Sequence, residues 1–275
     1  MQQDHFQKKK SLGQNFLKNK GVLKDMVAAA NITAGETILE IGPGKGSLTE
    51  ALLSAEATVI AIEKDHRLIP LLEETFKEEI VKKRLTLIEG DVLEMIPAMP
   101  QLCNAQFKVV ANIPYYISGA LLRVFLQSEV QPTTMVLMLQ REVAKRIVAR
   151  DKKESILSLS VKAYGIPTYV GTVKKELFSP KPKVDSAILA INSISRSFFS
   201  DISEVTFFTL IKTAFGQKRK TLGHTLKPLF KERTQALFEK TGINPKTRPE
   251  DLSIEEWKKL LNTWNTSAGA LNNSV

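Results

Sequence analysis

A chain of 275 residues, 43% hydrophobic and 25% charged, has the length for one large domain or two unequal ones and the balance of a globular protein. Its formal net charge of +10 favours a polyanionic partner or an anionic surface. The single cysteine, Cys103, excludes an intrachain disulfide, and with three scattered histidines (His5, His66, His224) it does not make a usual zinc site, so no metal is expected.

The first ten residues are polar and end in Lys8-Lys9-Lys10. They lack the apolar core of a signal peptide, and no later stretch approaches transmembrane length, so the expected setting is the cytoplasm, without membrane contact. Ser11 to Leu17 places apolar anchors around the amide pair Gln14-Asn15. The spacing of Val22, Met26, Val27 and Ala30 predicts a helix over 22–30, ended by Asn31 and Gly35. Strands are then expected at 37–41, 58–62, 85–88, 107–111 and 135–139, with helices at 47–53, 67–79, 117–127 and 141–149 between or after them. That alternation implies a parallel sheet covered on both faces.

After residue 149 the rhythm changes. Segments 168–177 and 186–191 predict two strands joined by Ser179-Pro180-Lys181-Pro182-Lys183, a hairpin closing one sheet edge. The Ser-rich stretch 193–203 reads as a linker. Helical periodicity follows in four segments, 205–215, 220–230, 233–240 and 254–262, the last opened by a capping box of Ser253 and Glu256. The expected division is a domain over 1–195, a helical domain over 204–265 and a disordered tail over 266–275. Residues 193–265 hold 13 Lys and Arg against 8 Asp and Glu, so the helical part is the more basic per residue, with its sharpest cluster at Lys218-Arg219-Lys220.

The first strand runs into Glu40-Ile41-Gly42-Pro43-Gly44-Lys45-Gly46-Ser47, where Gly42 and Gly44 let the backbone approach a ligand closely ahead of a helix N-terminus. Glu63 ends the second strand, where a carboxylate can accept from both hydroxyls of a ribose. A nicotinamide dinucleotide shares these features, but the turn lacks the final Gly or Ala of that fingerprint, and Pro43 removes an N–H from the cradle a pyrophosphate needs. A ligand with a ribose and no pyrophosphate fits better, and S-adenosylmethionine is the obvious one. The third strand supplies Asp91, suited to accept from an adenine amino group, and Val92 for the ring face.

The fourth strand ends in Asn112-Ile113-Pro114-Tyr115-Tyr116. Methyl transfer to an exocyclic amine needs in-line approach and acceptors that orient the amino hydrogens. The Asn112 side-chain oxygen and the Ile113 carbonyl are such acceptors, Tyr115 is a plate for a flat ring, and Tyr116 is assigned to packing.

Lys10 to Leu17, Glu40 to Gly46, Asn112 to Ser118, Phe178 to Ser186 and Ala214 to Leu222 together resemble the KsgA family of small-subunit rRNA adenine dimethyltransferases, over nearly the whole chain. The resemblance implies a Rossmann-like class I methyltransferase domain with a mostly parallel seven-stranded sheet, and a small all-helical C-terminal domain. It implies S-adenosyl-L-methionine as cofactor, held by Asn15, Leu17, Gly42, Gly44, Glu63, Asp91, Val92 and Asn112. Phe178 would stack the target base opposite Tyr115, making Asn112, Ile113, Tyr115 and Phe178 the catalytic set. The implied substrate is 16S rRNA in the immature small ribosomal subunit, dimethylated on two adjacent adenines near its 3′ end late in assembly by a monomeric enzyme. Lys8, Lys9, Lys10, Lys218, Arg219 and Lys220 are read as phosphate contacts.

Ile113 and Gly119 depart from the family's commoner Leu and Thr without changing an acceptor or a ring. The alternatives are a large-subunit adenine methyltransferase of the macrolide-resistance type and a catalytically silent assembly factor of the same fold. Leu12-Gly13-Gln14 and Gln217 to Leu222 favour the small-subunit enzyme over the first, and the intact Asn112 to Tyr115 stretch disfavours the second.

Overall fold

The structure, a computed structural model, describes residues 15–17, 19–96, 99, 102, 106–217 and 219–272. Lys8, Lys9, Lys10 and Lys218 lie outside them. The strands are β1 (Phe16–Leu17), β2 (Thr37–Ile41), β3 (Thr58–Glu63), β4 (Leu85–Glu89), β5 (Phe107–Asn112), β6 (Thr134–Gln140), β7 (Ile166–Val173), β8 (Phe178–Ser179) and β9 (Ser186–Asn192). Seven of them form one sheet in the order β4-β3-β2-β5-β6-β9-β7. β4, β3, β2, β5 and β6 run parallel, while β9 is antiparallel to both β6 and β7.

The sheet is parallel because its strands are apolar on both faces and joined through helices. Ile38, Val59, Val110 and Val136 share one apolar cluster with Val22, Leu23 and Met26 of the helix Lys20–Ala30 and with Leu48 and Leu52 of the helix Ser47–Ser54. Their neighbours Leu39, Val109 and Leu137 are equally buried, so the other face is covered too. The strand order reverses direction between β2 and β5, so the carboxyl ends of these strands open a crevice.

Several expectations change. The single helix expected over 67–79 is two, Ile69–Thr75 and Lys77–Val81, broken at Phe76. A helix at Ile156–Lys162, closed by a Ser155–Ser158 capping box, fills a stretch left without an element. The helix Ile254–Asn272 runs through most of the tail expected to be disordered from 266, and its Ser253–Glu256 capping box is formed.

The chain forms two compact units, one of residues 1–144 with 166–194, the other of residues 145–165 with 195–275. Residues 145–165, expected in the first domain, thus cluster with the helices. In the second unit Tyr164 packs on Phe199 with ring centroids 5.1 Å apart and donates its hydroxyl to Glu204 at 2.6 Å. Phe198, Phe199, Phe207 and Phe208 form an edge-to-face aromatic cluster beside it, where the sequence had suggested a plain linker. Arg219 and Lys220 are exposed on the turn before the helix Leu222–Thr225.

Candidate active site

A cavity of about 230 Å³ lies in the first unit at the carboxyl ends of β2, β3 and β5, with Asp91 and Val92 just past β4. Asn15, Phe16, Leu17, Gly42, Gly44, Glu63, Asp91, Val92, Asn112, Ile113, Tyr115 and Phe178 all line it. Residues from six separate sequence segments are thus brought together.

The glycine turn shapes one wall. Gly44 has φ +62°, and a Cβ there would stand 3.0 Å from the Phe16 ring. Glycine at this point therefore serves both the backbone angle and the seating of β1 against the turn. The amide of Gly44 donates to Glu63 Oε2 at 3.0 Å, and the amide of Asp65 donates to Oε1 at 2.8 Å. These bonds fix the carboxylate orientation and leave lone pairs on both oxygens for further donors. Burial pushes the Glu63 carboxyl up, against the pull of the Asp65 and Gly44 amides.

Asp91 caps the helix Val92–Met95 through Leu93 N at 3.0 Å, and Lys64 Nζ meets its other oxygen at 2.6 Å. The Lys64 bond holds the Asp91 carboxyl below its usual range. Sequence reasoning missed Lys64, although it directly follows Glu63. It also passed over Glu40, which is 1% exposed and lines the cavity. Thr49 Oγ1 donates to Glu40 Oε2 at 2.6 Å, while Oε1 has no protein partner. Burial pushes this carboxyl up to about 8, opposed by the Thr49 bond and reinforced by the nearby charge of Glu63.

Asn112 is the last residue of β5, and its Nδ2 donates to the carbonyl of Asn15 at 3.2 Å. With its nitrogen so engaged, the amide presents its oxygen as the acceptor. Pro114 then leads into a 3₁₀ turn, Tyr115–Ile117, in which Ile117 N donates to Pro114 O and Ser118 Oγ to Tyr115 O. Tyr115 is half-buried, and its hydroxyl lies 2.6 Å from Ser186 Oγ, a fully buried residue at the start of β9. Ser186 is a third residue the sequence did not reveal. Tyr116 does not pack as expected: it is 63% exposed at the cavity rim.

Phe178 belongs to β8, which pairs antiparallel with β1 so that Leu17 faces Phe178. It is buried in the apolar cluster with Leu17 and Leu23 and also contributes to the cavity wall. The first unit holds no cluster of His, Cys, Asp and Glu able to bind a metal among the described residues. No described helix is long and apolar enough to cross a membrane.

A seven-stranded, mostly parallel sheet with this glycine turn, paired acceptors on successive strands and a further helical unit defines a Rossmann-like methyltransferase fold. The chain belongs to the ribosomal RNA adenine dimethylase family, whose model matches residues 5–266. It is 43% identical over 255 residues to the ribosomal RNA small subunit methyltransferase A of Dehalococcoides mccartyi, covering 92% of this chain and 87% of that protein. A dimethyladenosine transferase from Plasmodium falciparum superposes with a TM-score of 0.78 at 29% identity, covering 92% of this chain and 98% of that one. The 23S rRNA methyltransferase ErmE gives 0.76 at 23% identity, covering 91% and 100%, and shares the fold.

Proposed function

We infer that this chain is an S-adenosylmethionine-dependent dimethyltransferase acting on adenine N6 in small-subunit ribosomal RNA. The observation that carries the inference is the match to small-subunit methyltransferase A along almost the whole chain, together with Asn112 in the cavity lining, its side-chain nitrogen bonded to Asn15 O. The target is read as two adjacent adenosines near the 3′ end of 16S rRNA, modified late in subunit assembly.

The cavity suits the cofactor on its own chemistry: an acidic acceptor at Glu63 for ribose hydroxyls, a second at Asp91 for an adenine amino group, and the apolar Val92 and Leu17 beside them. Gly42 and Gly44 would let the methionine end approach the turn, and Asn15 would lie over it. S-adenosylmethionine, when bound, supplies an electrophilic methyl on a sulfonium.

The residues of the chain orient the nucleophile. Asn112 Oδ1 and the Ile113 carbonyl accept from the two amino hydrogens of the target adenine, turning its nitrogen lone pair toward the cofactor side. Tyr115 faces one side of the extruded base and Phe178 the other. No general base is required, because the methylated anilinium-like nitrogen is acidic enough to release its proton to water. Arg219 and Lys220, with Lys8, Lys9, Lys10 and Lys218, are assigned phosphate contacts.

The test is labelled cofactor offered to small subunits from cells lacking this protein, with mass spectrometry of the 16S rRNA. Dimethyladenosine at two neighbouring positions is expected. Transfer to naked large-subunit RNA in its place, or to neither, would overturn the assignment.

A further inference from the structure

Tyr116 is the one aromatic residue among the exposed large hydrophobic side chains of the described residues, and it stands on the rim of the cavity. An exposed ring at 63% gains little from burial in the protein itself, while its backbone is fixed in a turn. It sits in the middle of the 3₁₀ turn that begins after Pro114 and is tied down by Ser118 Oγ. At three residues per turn, consecutive side chains diverge by roughly 120°. Tyr115 turns inward to Ser186 on β9, so Tyr116 cannot face the same base.

Lys64 also lines the cavity, with its side chain 58% exposed and its ammonium 2.6 Å from Asp91. An open aromatic face on the lip of a nucleobase site, with a cation in the same lining, matches one chemistry: a flat base to stack on a strand that carries phosphates. The partners already assigned to the cofactor adenine, Asp91 and Val92, lie deeper; Val92 is 4% exposed.

We propose that Tyr116, on the rim of the cavity that Lys64 also lines, stacks the nucleotide flanking the target adenine and so helps hold the RNA strand while the target is extruded. This rests on the reading of the cavity as an RNA adenine methylation site. Extruding a base leaves its neighbour with an uncovered face, and an exposed tyrosine at the mouth can replace the lost stacking partner.

The test uses the full chain, under-methylated small subunits and labelled cofactor. Tyr116→Ala should raise the KM for subunits on the order of tenfold, as expected for one stacked base, while S-adenosylhomocysteine affinity by calorimetry stays unchanged. Tyr116→Phe should restore the wild-type KM because the ring suffices, and Tyr116→Leu should not. An unchanged KM in Tyr116→Ala, or a loss confined to S-adenosylhomocysteine affinity, refutes the proposal; the latter would make Tyr116 a cover for the cofactor. If the wild-type chain labels no small subunits, the proposed function itself fails, which is a different result.

Discussion

The bond between Tyr115 and Ser186 offers a sharp test of how the aromatic plate is held. It spans 71 residues of sequence, is 2.6 Å long, and joins a half-buried phenol to a hydroxyl on a residue with no exposure. Burial pushes the phenol up while the Ser186 bond opposes it, so the group stays neutral at physiological pH and either hydroxyl can donate. Ser186→Ala strands only the phenol, which can turn toward the open side and find water, at a cost of about 1 kcal/mol. Tyr115→Phe strands the Ser186 hydroxyl in a dry site, at a cost of about 1–3 kcal/mol. Removing both partners leaves two apolar groups facing each other, so the double variant should lie within about 1 kcal/mol of the wild type. Urea unfolding of the four proteins completes the cycle, with a coupling energy of about 1–3 kcal/mol. Initial rates against subunit concentration should follow the same pattern, the double variant being no worse than the poorer single one. Additive losses in both measurements would show that the bond does not set the ring, and Ser186 would revert to a simple strand residue.

Three further outcomes are expected. Asn112→Ala should abolish methyl transfer in a single-turnover assay while weakening S-adenosylhomocysteine binding only in part; unchanged turnover would remove Asn112 from the mechanism. Glu40 is protonated in both states below about pH 4.5, and between there and about 8 the unfolded chain ionises it while the folded chain keeps its proton. The wild type should therefore lose up to about 1.4 kcal/mol of stability per pH unit across that window relative to Glu40→Gln, as read from unfolding at pH 5, 6, 7 and 8. Parallel curves for the two proteins would mean that Glu40 is ionised in the fold. Gly46→Ala places a Cβ 2.4 Å from Phe76 at a φ of +84°. It should cost at least about 1–2 kcal/mol in thermal unfolding, and a wild-type midpoint would contradict the packing described.

The sheet was legible because each parallel strand is a short apolar run closed by turn residues, as at Thr37–Ile41 and Phe107–Asn112. The places of Glu63, Asp91 and Asn112 in the cavity lining were legible for a related reason: each sits at the carboxyl end of a strand or just beyond it. What escaped depends on distant partners. β1 is two residues long and exists only through β8, far along the chain. The break at Phe76 follows from tertiary packing, since its ring closes over Gly46. The helix Ile156–Lys162 has apolar and polar residues nearly alternating, which resembles a strand, and its start signal is Ser155 with Ser158 rather than an acidic or amide partner. Tyr116 was assigned to packing because no ligand role remained for it, and nothing local marked the rim on which it stands.

The assignment of residues 145–165 to the helical unit limits how the molecule can be dissected. A chain cut after residue 195 keeps the helix Ile156–Lys162 but loses the helix Glu204–Phe215 that packs on it. Tyr164 would lose Phe199 and the Glu204 acceptor at once, leaving a greasy stub on a methyltransferase otherwise intact in sequence. Aggregation of such a truncated chain would report that stub rather than any instability of the cofactor site. Isolating the first unit therefore requires removing 145–165 as well as everything after 194.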